Sequence, residues 1–168
     1  VGVYYVIRYF EGLQRKEQEK SELNLKNREM QISLLKSQIN PHFLFNTLNS
    51  INTLIGSSKE QARKVITQLS DIFRYALDSH SDQMVKLIHE LDFIGNYIRI
   101  QQVRFGDRMK FVKQVDFTCL GVLIPPMILQ PLVENSVKYG IAPKDEGGTI
   151  ILTVKRFKGM IFFEVKDD

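Results

Sequence analysis

Apolar positions recur along the chain at helix spacing in its first two thirds and at strand spacing near its end. Ile32, Leu35 and Ile39 before Pro41, and Leu44, Leu48, Ile51 and Ile55 after it, fall three and four residues apart, as one face of a helix does. Inside a helix Pro41 removes a backbone donor and clashes with the carbonyl four residues back, at a cost of roughly 3 kcal/mol. The helix is therefore expected to bend or loosen there. His42 falls just outside the apolar arc, beside Gln38, Asn46 and Asn49, and is expected to look toward solvent. The sequence Gly56-Ser57-Ser58 predicts a glycine C-cap. A second helix over 59–79 carries Ala62, Val65, Ile66, Leu69, Ile72, Phe73, Ala76 and Leu77. Two amphipathic helices joined by a short turn form a hairpin with one apolar face uncovered, which a second copy of the chain would cover as a four-helix bundle.

Beyond a polar linker at 79–83, a third helix is expected over 87–105, with Leu91, Ile94, Ile98 and Val103 inward and His89 on the surface. Gly106-Asp107 turns the chain into a strand over 109–117. Pro125 and Pro126 then lead into a short helix with Pro131 in its first turn and Gly140 as its cap. Its apolar face is read as Ile128, Leu132 and Val133. On its polar face Glu134 with Lys138, and Asn135 with Tyr139, lie four apart, the spacing of an ordinary surface ion pair. Residues 149–156 and 160–166 predict a hairpin about Lys158-Gly159.

At the other end, residues 1–10 are apolar and aromatic but too few to span a bilayer, which needs about 20. Arg15, Lys16 and Lys20 follow, as expected on the cytoplasmic side. Residues 1–10 read as the end of a transmembrane helix or, alternatively, as a buried helix start. Residues 11–34 read as a long polar helix, with Leu23, Met30 and Ser37 in one heptad row, expected to be either a weak coiled coil or a solvated single helix. Beginning at Val1 and stopping within a strand-period stretch, the chain is expected to be an excerpt of a longer protein.

Composition narrows the classes without choosing one. The 168 residues suit one large domain or two small ones, and 43% hydrophobic with 25% charged is ordinary for a folded domain. The net charge of +4 is spread among acids rather than clustered with aromatics, so no nucleic-acid partner is expected. The single Cys119 excludes an internal disulfide, and His42, His80 and His89 show no zinc-ligand spacing with it.

Two motifs carry the chemistry. The twelve residues from Gln38 to Asn49, Gln-Ile-Asn-Pro-His-Phe-Leu-Phe-Asn-Thr-Leu-Asn, resemble the phosphoacceptor box of LytS-type sensor histidine kinases. The run Leu-Gln-Pro-Leu-Val-Glu-Asn-Ser-Val-Lys-Tyr-Gly ending at Gly140 resembles the N box of the same family. The resemblance implies an α+β fold: a dimeric helical hairpin over 35–80, then over 84–168 the first part of an α/β sandwich of the kinase ATP-binding type. It implies ATP-dependent phosphorylation of His42 and transfer to an aspartate of a response regulator. In the family Asn135 holds Mg²⁺, Glu134 supports it, and Lys138 reaches toward phosphate. One amide oxygen suits an ion that keeps most of its shell as water and phosphate. Tyr139 stands where a histidine is usual and is carried over as a nucleotide contact. Asp167 matches by position the aspartate that accepts from the adenine amino group, with the glycine boxes expected to follow Asp168. Phe43 stands where many histidine kinases place an acidic base. The implied setting is the cell inner membrane, reached through the segment before residue 11, with the kinase part cytoplasmic. Two alternatives stay open: a non-catalytic dimeric scaffold, which would lack acid-labile phosphate on His42, and another ATPase of the same nucleotide fold, which would hydrolyse ATP without His42.

Overall fold

The computed structural model describes residues 40–78 and 83–168. The expected membrane-helix end, the coiled coil, the helix before Pro41 and most of the 79–83 linker lie outside these residues. The first helix, α1 (Pro41–Ser57), corrects the reading of Pro41. Asn40 is not helical and Pro41 is the first helical residue, where its missing donor has no partner to lose. Phe43, Thr47 and Ile51 are buried at four-residue spacing. Phe45, by contrast, is 68% exposed, and Leu48 and Ile55 are also exposed. The apolar arc is thus wider than the stripe this single chain covers.

The helix does not end on a left-handed glycine, because Gly56 is helical and its φ is not positive. Ser58 makes the junction instead. Its amide donates to Leu54 O (2.7 Å), its carbonyl accepts from the Ala62 amide (3.0 Å), and its hydroxyl accepts from the Gln61 amide (3.4 Å), the pattern of a serine N-cap. Helix α2 (Lys59–Asp78) buries Ala62, Val65, Leu69, Ile72 and Ala76 and leaves Ile66 and Leu77 exposed. The two consecutive helices form the expected hairpin.

A short strand β1 (Val85–Lys86) leads into α3 (Leu87–Phe105), whose Leu91, Ile94 and Ile98 are buried as expected while Val103 is exposed. Strand β2 (Met109–Val115) stops before the predicted end at Phe117. Asp116 accepts from the Thr118 amide (2.9 Å) and hydroxyl (2.8 Å), which turns the chain and leaves Phe117 84% exposed. Strand β3 (Leu123–Ile124) pairs antiparallel with β1. Helix α4 (Gln130–Asn135) runs on into a π-helical turn, Ser136–Ile141. Strands β4 (Gly148–Phe157) and β5 (Met160–Asp167) complete a sheet of order β2-β4-β5. In it β2 runs parallel to β4 and β4 antiparallel to β5. The β4–β5 turn carries Lys158 (φ 50°) and Gly159 (φ 79°), two left-handed residues as a tight hairpin turn of the primed kind requires. On β4 the buried Ile150, Leu152 and Val154 alternate with less buried neighbours, and this face of the sheet forms the core with buried residues of α3 and α4. The chain is an α+β structure, a helical hairpin followed by a small mixed sheet with its helices.

Candidate functional site

His42 lies exposed in the first turn of α1, where neither burial nor a helix interior restrains its ring. One turn on, Asn46 Nδ2 is 3.2 Å from both His42 Nδ1 and Nε2. The amide can therefore orient the imidazole, but it cannot take up a proton. Phe43, the next residue, is buried, and its ring centroid is 4.9 Å from that of Tyr97 on α3. Burial raises the pKa of the Tyr97 hydroxyl well above the usual phenol range, and the negative charge of Glu134 raises it further. The aromatic pair packs α1 against α3.

The second group of predicted site residues sits on α4 and its π turn. The buried side is Leu129, Val133, Val137 and Ile141. This corrects the expected apolar face: of Ile128, Leu132 and Val133 only the last is buried, the other two being 41% and 43% exposed. Asn135, Lys138 and Tyr139 are exposed and Glu134 is half-buried. No Glu134–Lys138 ion pair forms among the described residues. Glu134 Oε1 accepts from Gln130 Nε2 (2.8 Å), and Lys138 Nζ lies 4.8 Å from the Tyr139 ring centroid, with the Tyr139 hydroxyl raising the lysine pKa. Each side chain has another neighbour, Glu134 the Gln130 amide one turn back and Lys138 the Tyr139 ring. The turn itself is π-helical, the Ala142 amide bonding back five residues to Val137 O (2.9 Å).

Gly140 also departs from expectation. It is buried inside the π turn, its φ is not positive, and the helix continues to Ile141. Its lack of a side chain serves a close approach instead: a Cβ there would overlap the Asp167 side chain at the end of β5. Asp167 is thereby held against the turn that carries Lys138 and Tyr139. Five of the six predicted site residues, Glu134, Asn135, Lys138, Tyr139 and Asp167, are therefore collected about one helix and the adjoining strand end. An open cleft of about 500 Å³ lined by Asp71, Tyr75, His89 and Asp92 contains none of the six.

Sequence reasoning passed over Glu90. This side chain is fully buried in the first turn of α3 and accepts three hydrogen bonds. The signal was present, since Leu87, Glu90, Leu91 and Ile94 put an acid on an otherwise apolar stripe.

Asn135 offers an exposed amide, a donor that fits a magnesium ion, which needs few protein oxygens when phosphates complete its shell.

A histidine in the first turn of a helical hairpin, followed by an α/β part that presents a Glu-Asn pair, is the arrangement of the histidine kinase class, and a family model described as "Histidine kinase" matches residues 30–109. The chain is 34% identical over 141 residues to Sensor protein LytS of Staphylococcus saprophyticus, covering 84% of this chain and 24% of that protein. It is 36% identical over 137 residues to Sensor histidine kinase YpdA of Escherichia coli (82% and 24%), and 35% identical over 152 residues to Sensor histidine kinase YesM of Bacillus subtilis (90% and 26%). The chain belongs to the LytS-type sensor histidine kinase family. It spans about a quarter of the length of these relatives. Among solved structures, the histidine kinase domain of a blue-light activated histidine kinase from Erythrobacter litoralis is similar at a TM-score of 0.41 and 14% identity, over 83% of this chain and 69% of that one.

Proposed function

We propose that the protein containing this chain is a sensor histidine kinase that phosphorylates His42 from ATP and passes the phosphoryl group to an aspartate of a response regulator. The observation that carries this reading is His42 itself, exposed in the first turn of the hairpin within the twelve-residue phosphoacceptor box. A ring nitrogen of His42 forms the new N–P bond as the bond from Pγ to the β,γ-bridging oxygen breaks. The electron pair leaves with ADP, and the ring gives up a proton. Asn46 orients the imidazole. Phosphoryl transfer depends mainly on positioning and electrostatic stabilisation, which the exposed Lys138 ammonium would supply to the phosphates. Asn135, with Glu134 behind it, would hold Mg²⁺, which supplies charge neutralisation on the phosphates. Tyr139 and Asp167 would meet the base.

The same reading assigns residues 35–80 to dimerisation and phosphotransfer and residues 84–168 to the first part of an ATP-binding domain. The exposed Phe45, Leu48, Ile55, Ile66 and Leu77 of α1 and α2 support a second copy of the chain as the partner that completes a four-helix bundle. Membrane attachment is proposed through residues 1–10. Among the described residues no helix is long and apolar enough to cross a bilayer. The test is His42→Gln in the complete protein. Acid-labile, base-stable phosphoenzyme is expected to vanish while Mg-ATP binding stays within about twofold, and undiminished phosphoenzyme would end the assignment.

A further inference from the structure

Glu90 has no exposed surface, although a carboxylate is among the side chains least often fully buried. A buried carboxylate needs hydrogen bonds to offset lost hydration, and Glu90 receives three, from two different parts of the molecule. Tyr75 of α2 donates its hydroxyl to Oε2 (2.6 Å). The Met127 amide donates to the same oxygen (2.8 Å), and the Leu129 amide donates to Oε1 (3.0 Å). Leu129 is the residue on which α4 starts. It is fully buried, and its carbonyl accepts from the Val133 amide (3.1 Å). Met127 has a φ of 59°, a left-handed conformation that a side-chain-bearing residue adopts only when its surroundings hold it there. The Glu90 carboxylate is the acceptor of that residue's amide.

From this we infer that Glu90 is a positioning residue: it fixes where α4 begins, and so where Asn135 and Lys138 point, and through Tyr75 it ties that placement to the helix pair bearing His42. Its two backbone bonds set the nucleotide end, and its bond to Tyr75 sets the register between that end and the hairpin. Displacement of α2 would reach α4 through this carboxylate as well as through the packing of α2 on α3, where the Tyr75 and Phe93 ring centroids are 5.0 Å apart. The inference rests on the reading of Asn135 as part of the nucleotide site.

In the complete protein, Glu90→Gln turns one acceptor into a donor facing an amide or hydroxyl that also donates. Faster hydrogen exchange at the Leu129 amide is expected, together with at least a tenfold rise in the Mg-ATP dissociation constant by calorimetry, measured well below the melting temperature. Tyr75→Phe keeps both backbone bonds. It should leave Mg-ATP affinity within about twofold yet lower the autophosphorylation kcat at least fivefold. A merely structural Glu90 would lower the melting temperature in both variants and leave affinity and kcat of the folded protein unchanged, and that result overturns the inference. If Glu90→Gln does not fold, Tyr75→Phe decides, because an unchanged kcat there overturns it as well. Asn135→Ala separates the two levels. Weakened Mg-ATP binding in Asn135→Ala beside normal binding in Glu90→Gln refutes the positioning role alone. Normal binding in both refutes the nucleotide-site reading and the positioning role with it.

Discussion

Replacing Gly140 by alanine sets two opposed effects against each other. In a helix interior alanine is favoured over glycine by about 0.8–1.0 kcal/mol, and Gly140 lies in helical backbone of ordinary φ, so propensity alone predicts stabilisation. The added Cβ, however, would overlap the Oδ2, Cγ and Cβ of Asp167. Turning the Asp167 side chain about its first torsion can clear the carboxylate. It cannot clear the Asp167 Cβ, so the end of β5 or the π turn must move. Overpacking of this kind costs typically about 1–3 kcal/mol. The net expectation is a change between near zero and about 2 kcal/mol in the destabilising direction, from a substitution that propensity ranks as favourable. A cycle makes the test sharper. Asp167→Gly removes all three overlapping atoms, at roughly 0.5–1 kcal/mol for a strand glycine, and in that background Gly140→Ala should become stabilising by about 1 kcal/mol. Urea unfolding of the four proteins reads the coupling, expected at about 1–3 kcal/mol. Stabilisation by about 1 kcal/mol in both backgrounds, with no coupling, would show that the strand end and the turn are not in contact.

Two further outcomes follow from the orientation of α4. Leu129→Ala, at a fully buried position, should cost about 2–5 kcal/mol in urea unfolding, whereas Leu132→Ala, 43% exposed, should cost under about 1 kcal/mol; equal losses would mean the helix is turned otherwise. Asn135→Ala should lower Mg²⁺-dependent autophosphorylation of the complete protein at least tenfold, with the melting temperature moving less than about 3 °C; a loss of activity no greater than the loss of folded protein would make Asn135 structural.

The helices α2 and α3 were legible to within a residue or so because their apolar positions keep one period from end to end and turn residues bound them. The β4–β5 hairpin was legible from Lys158-Gly159 between two alternating runs. What escaped has identifiable causes. Pro41 was placed within a helix because the apolar spacing continues on both sides of it, and spacing does not report where a helix begins. The buried side of α4 was misjudged because its first residues were grouped by the nearest apolar side chains, although Leu129, Val133 and Val137 form the better four-residue series. The four-residue spacing of Glu134 and Lys138 gave no ion pair, because Glu134 accepts from Gln130 and Lys138 lies over the Tyr139 ring. Gly140 carries the same letter whether it caps a helix or admits a neighbouring strand, and only the approach of Asp167 decides between the two. Glu90 was visible as an acid on an apolar stripe, but its partners Met127 and Leu129 lie 37 and 39 residues away and donate through backbone amides, which carry no side-chain signature.

On the proposed reading the exposed side of α4 is the side that meets the nucleotide. Buried polar side chains are as a rule hydrogen-bonded inside the protein, as Glu90 is, whereas Asn135 is exposed. Beside it Leu132 and Tyr139 are exposed although both could be buried at a gain, a full leucine burial contributing about 1.5–3 kcal/mol. The helix meets its folding requirement with Leu129, Val133, Val137 and Ile141 and leaves over an apolar side chain, an aromatic ring, an amide and an ammonium. Small-molecule sites combine apolar and aromatic walls with a few placed polar groups. A nucleotide with its metal would use all four of these groups, the ring and the leucine with the base, the amide with the ion and the ammonium with the phosphates.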